Sequence, residues 1–115
     1  MAKEAKVDYD QENDVLYVYS GEKAKDSLEI DEFVLDISSD NKIVGVEIFD
    51  AVKLLSSLLN IKLSKQALEH ISNVRMMPFQ SKELLYVLLF FSISIGSKRQ
   101  EVNISVPAPM HIVAH

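Results

Sequence analysis

Asp8, Asp10, Glu12 and Asp14 put four carboxylates into seven residues near the start of the chain. Alternating acidic side chains can offer oxygen ligands to a hard cation such as calcium or magnesium. This run lacks the glycine and the distal glutamate of an EF-hand loop. A solvated hairpin in which Asp10 and Asp14 hydrogen-bond their own turn is therefore the simpler reading. Glu47 stands among apolar neighbours in Ile43 to Phe49, where burial would raise its pKa and suit it to acid or base work. Such a glutamate more often pairs with a lysine across a sheet or faces solvent, and no catalytic partner is identifiable; Asp36 has the same status. His70, His111 and His115 are the side chains that switch charge near neutral pH. His111 and His115 have the spacing of helical metal ligands, but Pro107 and Pro109 before them point to a loose tail. None of the serines sits in a GxSxG elbow. The expectation is no catalytic set, no metal site and no cofactor.

The formal net charge of −5 conceals a split. Residues 1–50 carry 14 acidic and 5 basic side chains, and residues 51–115 carry 3 acidic and 7 basic. Lys62, Lys65, Arg75, Lys82, Lys98 and Arg99 could neutralise phosphates, yet they are scattered and have no glycine-rich phosphate loop or helix-turn-helix beside them. Nucleic-acid binding is accordingly the less favoured reading, and attraction between the two halves, within a chain or across a dimer, the preferred one.

These side chains need a scaffold, and the pattern supplies one. Val7 and Tyr9 alternate with Asp8 and Asp10, as in a strand with one wet face, and Val15 to Tyr19 is apolar or aromatic throughout. Leu28 to Ile30, Phe33 to Ile37 and Ile43 to Phe49 continue the strands, which predicts an antiparallel β-meander. Asp50 reads as an N-cap for a helix bearing Val52, Leu55, Leu58 and Leu59 that closes at Asn60. A second helix is expected from Ser64 to about Ser72, with Leu63 and Leu68 as a staple and Asn73 as its C-terminal cap. Strands then return at Arg75 to Phe79, Leu84 to Ile95 and Val102 to Val106, with a GlySerLysArg connection before the last and Pro107 and Pro109 ending it. Leu84 to Ile95 would also suit a buried helix; its Phe90, Phe91, Ile93 and Ile95 favour a strand. Twelve residues fall short of the roughly 20 needed to span a membrane as a helix.

Residues 7–52 resemble the family known as domain of unknown function 2283. The resemblance is carried by Tyr9-Asp10, Asp14-Val15-Leu16-Tyr17-Val18, Phe33-Val34-Leu35-Asp36 and Ile43-Val44-Gly45-Val46-Glu47-Ile48-Phe49-Asp50-Ala51. The turn before the fourth strand is AspAsnLys, where the family places a glycine. The resemblance implies a small β-meander followed by a helix, no established activity, and for some members a toxin-like partner, so that an antitoxin-like role is one alternative. It does not extend beyond about Val52.

Residues 1–115 are thus expected to form a single α+β domain: an antiparallel β-meander, one or two helices, then further strands. With 48% hydrophobic and 25% charged residues and no cysteine, the composition suits a cytoplasmic globular protein without disulfides or thiolate metal sites. The N-terminus lacks the apolar core of a signal peptide. The functional expectation is a non-catalytic interaction module acting as a homodimer. Tyr17, Val18, Leu55, Leu59 and Leu84 to Ile95 would supply core or interface. Asp8, Asp10, Glu29, Asp31, Glu32 and Glu47 are the candidate binding residues, offered to a basic protein partner. A small-ligand or metal-dependent enzyme is the rival class.

Overall fold

The computed structural model describes residues 2–80 and 84–109. In chain order the elements are β1 (Lys3–Glu4), β2 (Lys6–Asp10), β3 (Val15–Tyr19), β4 (Asp26–Ile30), β5 (Phe33–Ile37) and β6 (Ile43–Phe49). They are followed by α1 (Ala51–Leu59), α2 (Lys65–Leu68), β7 (Ser72–Gln80), β8 (Leu84–Ile95) and β9 (Lys98–Pro109). Antiparallel sheets with two short helices make this an α+β fold. The strands form a five-stranded sheet of order β2-β3-β6-β5-β4 and a four-stranded sheet of order β1-β7-β8-β9.

The first sheet is not the simple meander that the strand sequence suggested. β3 pairs with β6, and the β4–β5 hairpin lies beyond β6. The apolar content of each strand accounts for this order. β6 buries Val44, Val46 and Ile48 and takes the centre, whereas β4, with Asp26, Ser27 and Glu29, takes an edge where polar side chains are tolerated. At Ala5 the chain changes sheets: Ala5 N–H donates to the Val74 carbonyl at 2.9 Å, and the next residue, Lys6, pairs with Tyr19 in the other sheet.

One hydrophobic cluster joins the inward faces of both sheets. Leu16, Val18, Val46 and Ile48 meet Val87, Leu89, Phe91 and Ile104, and Leu55, Leu63 and Leu68 close the cluster from the helical segment. Inward alternation in β8 (Leu85, Val87, Leu89, Phe91, Ile93) places Leu84–Ile95 among the strands, as its β-branched and aromatic residues favoured.

Three local expectations need correction. Asp50 occupies the N-cap position of α1 in a left-handed conformation, φ 52°, but its side chain caps nothing. The cap comes from 38 residues upstream. The Asp14 carboxylate accepts from Val52 N–H at 3.2 Å and from the Tyr9 hydroxyl at 2.7 Å, and the Asp14 carbonyl accepts from Ala51 N–H at 3.2 Å. Asp14 therefore ties the β2–β3 hairpin to the helix start and leaves only Asp10 to bond within its own turn. Second, α2 stops at Leu68 and caps on Glu69, although Ser64 does cap its start by accepting from Ala67 N–H. Asn73 adopts positive φ, 53°, inside β7 instead, where the register slips between Ser72 and Arg75. Third, β9 runs on past Val106, so that Pro107 lies within it, and its last described residue is Pro109. β9 is an edge strand, and two prolines at alternate positions direct their missing N–H groups away from the ladder.

The distinct roles of the two aspartates are testable. Both stand at positive φ, so glycine relieves backbone cost at each. Asp14→Gly is expected to destabilise by about 2 kcal/mol through loss of charge-assisted hydrogen bonds, whereas Asp50→Gly is neutral or stabilising; urea unfolding followed by circular dichroism measures both.

Candidate functional site: the outer face of the five-stranded sheet

Strand alternation turns a second set of side chains away from the core. Asp8 pairs with Tyr17, Tyr17 with Glu47, Glu47 with Val34 and Val34 with Glu29, giving one row across all five strands. The next row runs Lys6, Tyr19, Gly45, Asp36, Ser27, and on the other side lie Asp10, Val15 and Phe49. Five carboxylates thus share these rows with two tyrosines and a single cation, Lys6.

The tyrosines give the face its rigidity. Tyr17 and Tyr19 stack with centroids 4.5 Å apart and planes 15° from parallel. The Tyr17 hydroxyl donates to Asp36 Oδ2 at 2.7 Å, and the Tyr19 hydroxyl donates to Asp8 Oδ2 at 2.9 Å. The Tyr17–Asp36 bond joins β3 to β5 across β6, and it passes over Gly45. A Cβ at position 45 would stand 2.7 Å from Asp36 Oδ2 and 3.0 Å from the Tyr17 hydroxyl oxygen, so only glycine admits this bond. Burial, and then the Asp36 carboxylate, push the Tyr17 pKa well above its ordinary value of 10.0. Tyr19 is shifted the same way, first by its bond to Asp8.

At one end of the face Asp8, Asp10, Asn13, Val15, Tyr17, Glu47 and Phe49 line an open concavity of about 540 Å³. Asp10 accepts from Asn13 N–H at 3.1 Å and from the Asn13 amide nitrogen at 2.8 Å; these bonds hold its carboxyl below the usual range. The concavity offers three carboxylates, the rings of Tyr17 and Phe49, and no cation in its lining. That combination attracts cations through charge and through ring faces.

The sequence-predicted residues divide between two places. Asp8, Asp10 and Glu47 come together in the concavity, and Glu29 shares their face from the edge strand β4. Asp31 and Glu32 form the β4–β5 turn, where Asp31 holds φ 52° and the Glu32 carbonyl accepts from Phe49 N–H at 2.8 Å; neither residue lines the concavity. Tyr19 is the contributor that sequence reasoning missed, and Tyr17 is on the face rather than in the core. The signal was present: outward positions of a strand apolar on both faces held tyrosines, and a glycine faced Tyr19. Among the described residues no group of three His, Cys, Asp or Glu could hold a metal ion. His111 and His115 lie outside those residues. The basic candidates fall on the α1–α2 connection, α2, β7 and the start of β9, except Lys82, which lies outside the described residues.

Residues 6–51 match the model of a family described as protein of unknown function (DUF2283). That match spans 46 of the chain's 115 residues. The DUF2283 segment comprises β2 to β6 and the first residue of α1, so the acidic tyrosine face is built wholly within it, while β7 to β9 lie beyond. An uncharacterized protein of Methanocaldococcus jannaschii is 44% identical over 52 residues, which cover 44% of this chain and 45% of that protein. A Methanosarcina mazei protein named "Putative hypoxanthine phosphoribosyltransferase" is 38% identical over 69 residues, 56% of each chain. The chain thus spans about half the length of the curated relatives it matches. No solved structure matches it.

Two outcomes follow from the tyrosine geometry. Gly45→Ala is expected to displace Tyr17 from Asp36 at a cost of about 1–3 kcal/mol, typical of overpacking, and to return part of the tyrosine absorbance titration towards 10.0. In the parent protein Tyr9 and Tyr17 remain protonated above 10.0, because burial and their carboxylate partners raise both. A raised folded-state pKa favours folding fully below the unfolded value, so stability should decline as pH climbs above 10.0. Thermal unfolding between pH 8 and pH 11 reads that decline, and a flat profile would contradict it.

Proposed function

We propose that this protein is a non-catalytic, cytoplasmic binding module that acts as a homodimer and recognises a basic protein partner. The acidic face of the five-stranded sheet is the recognition surface. The supporting observation is the grouping of Asp8, Asp10 and Glu47 around Tyr17 in an open concavity with no lining cation. Arginine suits such a surface well, since its guanidinium pairs with carboxylates and stacks on aromatic rings. The hydroxyls of Tyr17 and Tyr19 are already spent on Asp36 and Asp8, which fixes the rings before any partner arrives and reduces the ordering cost of binding. Asp31 and Glu32 contribute to long-range attraction from their turn, without contact. Absence of cysteine suits a reducing compartment, and among the described residues no helix is long and apolar enough to cross a membrane.

The name of the Methanosarcina mazei relative speaks of phosphoribosyl transfer. A phosphorylated substrate is a poor match for this face, because its carboxylates repel phosphate.

Fluorescence anisotropy with a labelled octa-arginine peptide tests the reading. The double variant Asp8→Lys, Glu47→Lys is expected to weaken binding at least about ten-fold at low salt, and Asp31→Lys, Glu32→Lys by less than about three-fold, since contact charges outweigh distant ones. Equal losses from the two pairs would mean that overall charge, and not this face, governs binding.

A further inference from the structure

The outer face of the four-stranded sheet is apolar along β7 and β8, where an exposed sheet face is ordinarily polar, while β9 turns Glu101, Asn103 and Ser105 outward. β8 buries Leu85, Val87, Leu89 and Phe91 in the core, yet Tyr86, Leu88 and Phe90 point the other way. Across β7 they are matched by Phe79, Met77 and Arg75 respectively. Phe79 and Tyr86 stack with centroids 4.9 Å apart, and the Arg75 guanidinium lies 5.2 Å from the centre of the Phe90 ring. A strand apolar on both sides needs cover on both sides, and among the described residues the outward Tyr86, Leu88 and Phe90 are only half-buried.

We infer that two copies of this chain pack through this face, with a two-fold axis running along β8, and that the protein is thereby a bivalent binder. The inference rests on the homodimeric reading above and adds its interface and consequence. Size is compatible with a second copy as the occupant. Three strands about 4.8 Å apart and about ten residues long at 3.3 Å each present a footprint of roughly 480 Å², which side-chain relief raises towards the approximately 800 Å² per partner of a standard interface.

Charge supports it as well. Arg75 on β7 faces Phe90, and Glu101 on β9 faces Ser92, so the two flank β8 on opposite sides at neighbouring levels. A two-fold axis along β8 exchanges those sides and carries each Arg75 over the partner's Glu101. The same operation sets Tyr86, Leu88 and Phe90 against their own copies. It also turns the acidic faces outward on opposite sides of the dimer, which keeps two anionic surfaces apart and makes both available. Binding two sites on one target then gains avidity of about a hundred-fold or more without new contacts.

Sedimentation equilibrium of the full chain decides the matter. The expected result is twice the 13.0 kDa chain mass at tens of micromolar. Leu88→Glu should raise the dissociation constant at least about thirty-fold, the scale of a central interface residue, with an unchanged far-ultraviolet spectrum. Leu58→Glu, on the exposed side of α1, should leave the dimer intact. Should Leu88→Glu misfold, hydroxyl-radical footprinting of the unaltered protein replaces it: Met77, Phe79 and Tyr86 should be protected at high concentration and not on dilution, while Phe49 stays reactive throughout. A monomer at every concentration, a dimer unaffected by Leu88→Glu, or unprotected Met77, Phe79 and Tyr86 would overturn the inference. Because mass and footprint are read without any peptide, failure here is separable from failure of octa-arginine binding.

Discussion

The hydrogen bond from Tyr17 to Asp36 across Gly45 is the constraint on which the acidic face depends. It requires that β3, β6 and β5 lie side by side in that order, because the bond joins the outer two strands over the middle one. It requires glycine at the crossing point. A sheet in simple meander order would put β4 between β3 and β5, and β4 has no glycine for the bond to cross. The contact thus presupposes the strand order and the glycine, and it fixes the orientation of the Tyr17 ring.

Asp14 does comparable work at the sheet's end. A residue in a hairpin turn caps a helix through Val52, 38 residues later, so hairpin and helix cannot move independently without exposing the first amides of α1. The adjoining concavity inherits that rigidity through Val15 and Tyr17, which follow directly in β3. The polar network thereby fixes a surface, while the shared hydrophobic cluster fixes how the two sheets meet.

Much of this was legible in the sequence, and the limits have physical causes. Alternation located β2, β5 and β6, an unbroken apolar and aromatic run located β3, and helical spacing located the first helix with its Asn60 closure, because each depends on neighbours in sequence. Sheet order was not legible, since pairing β3 with β6 is a long-range choice between similarly apolar strands. Asp50 looked like the cap because it precedes the helix, whereas Asp14 acts through space. Asn73 favours positive φ equally at a helix end and at a strand irregularity, and local pattern could not separate the two. The carboxylates of the site were visible as a cluster, Asp8 and Asp10; their meeting with Glu47 needed the register of β2, β3 and β6. The turn pair Asp31 and Glu32 was indistinguishable by composition from the face residues.

The most direct test of the account is a map of amide chemical-shift changes in isotope-labelled protein titrated with a basic peptide such as octa-arginine. The account predicts that the changes concentrate on β2, β3 and β6, at Asp8, Asp10, Tyr17 and Glu47, and saturate together. Changes centred on β7 to β9, or spread evenly over every acidic turn, would contradict it.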